Sequence, residues 1–232
     1  MPYVKKMIFS GKLLEIEKYP VSRKGCRVPR CGKYKVSSES QQNLNEKNSK
    51  KQFLRLVECN FTERDLYITL SYKNENLPKT SQKLKKDFQN FIRRLKYRCS
   101  KENLPAPVYM AVSHDKHHRA HHHLLLKKCS WDMIEKLWQY GGVNIQTLIP
   151  DDEYGFVQVG KYIINQKNEN SFDKRWCASQ NLKKPIIKYK DIKRMTISSA
   201  YDAPKGYRIT DISITDNEFV GMYQYIRCVK LE

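Results

Sequence analysis

Acidic residues are scarce in this chain: 24 Asp plus Glu stand against 44 Lys plus Arg, a formal charge of +20 over 232 residues. That imbalance argues for a polyanionic partner, with nucleic acid leading. A merely soluble basic protein is the plainer alternative. No basic amphipathic helix stands apart from the rest, which argues against an acidic membrane surface. Long apolar runs are missing too. "MPYVKKMIFSGKLL" has no stretch long enough for a secretory or membrane-spanning segment, so no membrane partner is expected. The seven cysteines are odd in number and scattered, as suits free thiols in a reducing cytoplasm. Cys26 and Cys31 lie close together in "CRVPRC", but no second pair completes a zinc site, and two unrelated thiols are expected. A G-x-x-x-x-G-K-[ST] phosphate loop is also lacking, which excludes a P-loop ATPase.

What is present alternates between strand and helix patterns. "DLYITLSY" (65–72) places Leu66, Ile68 and Leu70 on one face and Tyr67, Thr69 and Ser71 on the other, a strand with one face in a core. "LPKTSQKLKKDFQNFIRRLKYR" predicts a helix capped by Thr80 or Ser81, with Leu84, Phe88, Phe91, Ile92 and Leu95 along one stripe. Its other face is strongly basic and includes Lys83, Lys86, Arg93 and Arg94, which fits either a solvated surface or phosphate contact. "SSESQQNLNEKNSKKQFLRLVECN" predicts a helix from a serine cap, and "SWDMIEKLWQYGG" a short one capped by Ser130 and stopped by Gly141 and Gly142. "VYMAVSH" and "HHHLLLKK" predict two strands of a hairpin, "VNIQTLI" another strand, and "YGFVQVGKYIINQ" a further helix. Residues 20–50 are polar and basic and read as a loop or arm opening the fold. The whole predicts an α+β chain with a central antiparallel sheet, read as one domain.

All six histidines fall between residues 114 and 123. Residues i and i+2 of a strand project from the same face, so His121 and His123 point together while His122 points away. An isolated His-x-His is a weak metal signal, and a third ligand strengthens it. His114, at the end of the neighbouring strand, is placed to supply one. His117 and His118 sit in a loop beside Lys116 and Arg119, where solvation or phosphate contact is the simpler reading. Imidazole suits Mn, Zn, Fe or Ni better than Mg, although a site with open positions takes a hard ion through water and phosphate oxygens. Beside a basic surface, such an ion points to phosphodiester chemistry. That chemistry needs a nucleophile. In the last predicted helix Gln158, Tyr162, Asn165 and Gln166 share one face, with Lys161 next to Tyr162. A tyrosine attacking phosphorus conserves the broken bond as a phosphotyrosine, although an ordinary amphipathic-helix tyrosine is the simpler reading of Tyr162 alone.

Taken in order, "DLYITLSYKNENLP", "RAHHHLLL" and "VGKYIINQ" resemble the three motifs of the rolling-circle replication initiators of bacterial plasmids and phages, members of the HUH endonucleases. The resemblance runs over roughly residues 38–187. It implies a sheet covered mainly on one face by helices, related to ferredoxin-like and RRM-like palms. It divides the chain into a basic N-terminal arm (1–37) and an endonuclease-like domain (38–232), with motifs at 65–78, 119–126 and 157–166. It further implies one divalent ion, Mn or Mg, held by His121 and His123 with His114 as third ligand, and Tyr162 as nucleophile assisted by Lys161. The substrate would be single-stranded or hairpin DNA, held by Lys83, Lys86, Arg93, Arg94, Arg119, Lys183 and Lys184. A host helicase and polymerase would complete replication in a bacterial or phage-infected cytoplasm.

Three positions depart from that pattern. Gln158 stands where many relatives carry a second tyrosine, Asn165 where a lysine is frequent, and Ser113 or His114 where a glutamate is usual. A transposase of the same chemistry is a close variant. A relative that binds nucleic acid without cutting it, as a repressor or an inhibitor of a host system, is the alternative from another class.

Overall fold

The computed structural model describes residues 3–21, 38–114, 119–151, 154–165, 176–192, 201–216 and 221–231. Cys26, Cys31, His117, His118 and Gln166 lie outside the described residues. The elements are β1 (Tyr3–Ser10), β2 (Leu13–Pro20), α1 (Glu39–Asn60), β3 (Leu66–Ser71), α2 (Ser81–Lys101), β4 (Tyr109–His114) and β5 (His121–Leu126). They continue with α3 (Trp131–Leu137), β6 (Val143–Thr147), α4 (Val157–Asn165), β7 (Cys177–Ala178), β8 (Ile186–Ile192), β9 (Tyr207–Thr215) and β10 (Tyr223–Lys230). The chain is α+β, as its patterning predicts, but it carries two antiparallel sheets where the sequence points to one. Its contacts divide it into two compact units.

One unit holds residues 47–151 and 156–183. Its sheet runs β6-β3-β5-β4-β7, every neighbour antiparallel. The strict alternation of β3 sends Leu66, Ile68 and Leu70 to one face. There they join Leu124 and Leu126 of β5 and a stripe on α2: Leu84, Phe88, Phe91, Ile92 and Leu95. Met133 and Ile134 of α3 close the same core, so α2 and α3 cover this one face. Thr80 starts α2, its hydroxyl accepting the Lys83 N–H at 3.2 Å and satisfying one of the helix's orphan donors.

The third helix ends earlier than its glycines suggest. It stops at Leu137, because Trp138 turns out of helical conformation and its indole N–H donates to the Ser71 carbonyl at 2.8 Å. Gly141 serves a different need: a Cβ there would lie 2.2 Å from the Ser71 carbonyl oxygen, so only glycine lets the chain pass that close to the end of β3.

The last helix, α4, is placed by α1. A Glu58 carboxylate oxygen accepts the Phe156 N–H at 2.7 Å, where a helix start leaves donors without internal partners. At Gly160 a side chain would meet Leu54 at 2.5 Å, so the two helices approach closely. Val157, Ile163 and Ile164 are buried, and Gln158, Lys161, Tyr162 and Asn165 are left exposed.

The other unit holds residues 1–46, 152–155 and 184–232, with sheet order β8-β1-β2-β10-β9. Strands β1 and β2 lie within the stretch read as a basic arm. Their charged residues find partners across the sheet rather than in solvent. Lys6 pairs with Glu17 at 3.2 Å, Tyr225 donates to Glu15, and the Lys18 ammonium sits 4.4 Å from the centre of the Tyr201 ring. Leu14, Ile16, Ile226 and Cys228 form its core.

Candidate active site

On the face of the first sheet turned away from α2, the end that carries the histidines is polar, while Met110, Val112 and Leu125 on that same face are buried. Cross-strand register sets Thr69 opposite His123 and Ser71 opposite His121, with His114 directly opposite His121 on β4. Side chains so paired lie within contact distance on one face. The imidazole centroids of His114, His121 and His123 are accordingly 4.7 to 5.3 Å apart. One nitrogen from each can be chosen so that all three lie within 4.8 Å of one another.

Hydrogen bonds show which nitrogens His121 and His123 turn toward each other. The Arg119 carbonyl can only accept, so His121 Nδ1, 2.7 Å away, carries the proton and its Nε2 presents a lone pair. That Nε2 faces His123 Nε2 at 3.1 Å. Two ligands about 2.1 Å from one ion at a right angle sit about 3.0 Å apart, so this separation fits a shared cation. On the far side of its ring, His123 Nδ1 lies 2.7 Å from the Tyr67 hydroxyl and 3.3 Å from that of Thr69. Such outer partners fix the orientation and tautomer of a metal-binding histidine. Burial pushes the Tyr67 phenol up to about 12, with its hydrogen bond to Thr69 opposing and nearby Tyr162 adding to the rise. It therefore stays a neutral hydroxyl at ordinary pH. The alternation of β3 sets Tyr67 and Thr69 on this face with Ser71, but sequence reasoning gave them no role.

Tyr162 stands over this cluster. Its ring centroid is 5.8 Å from that of His123, and it is 60% exposed. A groove of about 910 Å³ collects Tyr162 with His121, His123, Tyr67, Thr69, Ser71, Arg119, Asn144 and Gln146. Lys161 is exposed beside Tyr162 on α4 but does not line the groove.

His122 goes to the opposite face and is fully buried there. Its Nδ1 lies 2.7 Å from the Ser113 hydroxyl and its Nε2 2.9 Å from that of Tyr72, against the ring of Phe88. Burial, reinforced by the three neighbouring histidines, lowers its pKa to about 3. It is a neutral core residue with both ring nitrogens satisfied, pointing away from the cluster of His114, His121 and His123 as the parity of the strand predicts.

The basic residues separate by position. Lys83, Lys86 and Arg93 lie on α2, across the sheet from the histidine pair; Lys86 and Arg93 are exposed, and Lys83 is tied to Asp87 at 2.5 Å. Arg94 turns inward, donating to the Leu137 carbonyl at 3.1 Å with its guanidinium 5.6 Å from the Tyr140 ring centre. Arg119 reaches the groove while donating to the Tyr72 carbonyl at 2.6 Å. Lys183 is exposed, its main chain held by Asn60, and Lys184 is exposed in the other unit. Among the described residues, Cys59, Cys99, Cys129, Cys177 and Cys228 are free thiols, and no helix is long and apolar enough to cross a membrane.

Residues 65–168 match the family model of the replication-associated protein ORF2/G2P. The matched segment, somewhat under half of the chain, runs from β3 through α4 and so contains the three histidines and Tyr162. It supports a role in replication and, with it, contact with DNA. No curated protein and no solved structure matches the chain.

Proposed function

We propose that this chain is a rolling-circle replication initiator of the HUH type, which nicks and rejoins single-stranded DNA at an origin hairpin through Tyr162. The observation that carries the reading is the grouping of His114, His121 and His123, with His121, His123 and Tyr162 lining one open groove. The three imidazoles would hold one divalent ion, Mn or Mg, which when bound polarises a phosphoryl oxygen. Arg119, at the same groove, would hold the strand by its phosphates.

The Tyr162 oxygen forms a bond to phosphorus and the bond from phosphorus to the 3′ oxygen breaks. The tyrosine proton passes to solvent, and the released 3′ oxygen takes one up, leaving a 5′-phosphotyrosine and a 3′ hydroxyl that can prime synthesis. Tyr67, kept protonated by burial, orients His123 rather than competing as a nucleophile. Lys161 adds positive charge next to the reacting tyrosine. Lys83, Lys86, Arg93, Lys183 and Lys184 would contact flanking DNA away from the reacting phosphate. Unwinding and synthesis would fall to a host helicase and polymerase.

The test is incubation of the full chain with Mn and labelled hairpin oligonucleotides drawn from the element's own origin, followed by a denaturing gel. A covalent band that is lost in Tyr162→Phe and in His121→Ala supports the reading. Tight binding with no band from any oligonucleotide would overturn it in favour of a protein that binds nucleic acid without cutting it.

A further inference from the structure

The groove has more polar groups than metal binding and attack on phosphorus require. Most are already committed within the protein. Tyr67 and Thr69 are bonded to His123, the Ser71 hydroxyl donates to the Gly142 carbonyl at 3.1 Å, and Arg119 donates to the Tyr72 carbonyl. Asn144 and Gln146 are the exceptions. Both are exposed, both line the groove, and among the described residues neither side-chain amide has a hydrogen-bond partner. Their position follows from register. Asn144 is opposite Thr69, which is opposite His123, and Gln146 is opposite Tyr67. Asn144 therefore stands two strand spacings, about 10 Å, from the histidine pair, on the same face of the sheet. That is the reach of a nucleotide next to the reacting phosphate rather than of the phosphate itself.

A side-chain amide offers a donor and an acceptor side by side. Adenine presents the complementary pair, its N6 amino group donating and its N7 accepting. We infer that Asn144 and Gln146 form a base-reading subsite that prefers adenine in the nucleotides flanking the cleaved phosphodiester; the inference rests on the nicking reading above. These two residues would give the groove sequence preference, which a histidine cluster and a tyrosine cannot supply.

The experiment uses the full chain carrying Tyr162→Phe, so that binding is read without cleavage. A random-sequence single-stranded DNA library is bound, and the retained strands are sequenced. Adenine enriched at one or two adjacent positions is the expected result. Asn144→Ala and Gln146→Ala should each reduce that preference by about 5- to 150-fold at one position. Gln146→Glu, whose carboxylate only accepts, should move the preference at its position toward cytosine. Both side chains are exposed, so these changes leave the core intact. Absence of adenine enrichment, or a preference untouched by both alanine changes, overturns the subsite.

Failure of the two readings is separable. If the chain with Tyr162 intact forms no covalent adduct yet the Asn144-dependent adenine preference persists, base reading stands and nicking falls. If adducts form while base preference ignores both amides, nicking stands and the subsite falls.

Discussion

His121 and His122 are chain neighbours of the same residue type on the same strand, and they live in opposite environments. His121 sits on the open face with one nitrogen held by a backbone carbonyl and the other facing His123. His122 is sealed on the closed face between two hydroxyls and an aromatic wall. Nothing in the residue decides between these fates. The period of two along a strand decides it. The contrast teaches that His121 belongs to a cluster built for chemistry and His122 to a core built for stability, and that each can be disturbed without the other.

The sharpest way to break that contrast is to exchange the losses. His121→Ala should abolish high-affinity Mn binding, a fall of at least about 100-fold by calorimetry, with little change in the urea midpoint. His122→Ala should do the reverse. It opens a cavity and strands the Ser113 and Tyr72 hydroxyls, costing about 2–4 kcal/mol in urea unfolding, with Mn affinity of the folded protein nearly unchanged. Equal effects of the two substitutions on both measurements would refute the division of faces. A finer probe is Tyr67→Phe, which removes the hydroxyl behind His123 but leaves that of Thr69. It should weaken Mn binding by about tenfold, and stability should change less than in His122→Ala. The smallest effect belongs to Glu58→Gln, which weakens the carboxylate holding the start of α4. About 1 kcal/mol of stability should be lost and adduct formation slowed, while Mn affinity stays the same because no metal ligand lies on α4.

Much of the first sheet was legible because its signals are local. The alternation in β3, the stripe on α2 and the parity of the histidine triplet each need only a short window of sequence. The amino-terminal strands of the second sheet were not legible, for the opposite reason. Glu15, Glu17 and Lys18 interrupt β2 with charges that look solvated until their partners are in place: Lys6 across the hairpin, and Tyr225 and Tyr201 from far along the chain. Within the site, the sequence order of the motifs pointed to the histidines and to Tyr162. It could not reveal that Arg94 turns toward Leu137 and Tyr140, since a helical wheel shows direction but not what waits there. Asn144 and Gln146 were passed over because a polar residue every second position on an edge strand reads as ordinary solvent exposure.

The pairing of β2 with β10 joins residues 13–18 to residues 224–229. A ribosome adding roughly 5–20 residues per second needs on the order of ten to forty seconds to travel between them. Through that interval Leu13, Leu14 and Ile16 have been made but their β10 partners, Val229, Cys228 and Ile226, have not. The segment that carries the histidines and Tyr162 is complete well before synthesis reaches β10. A newborn chain therefore has the means to assemble its chemical face early while its amino-terminal hairpin still waits, and that waiting hairpin is where a holding chaperone would be expected to act.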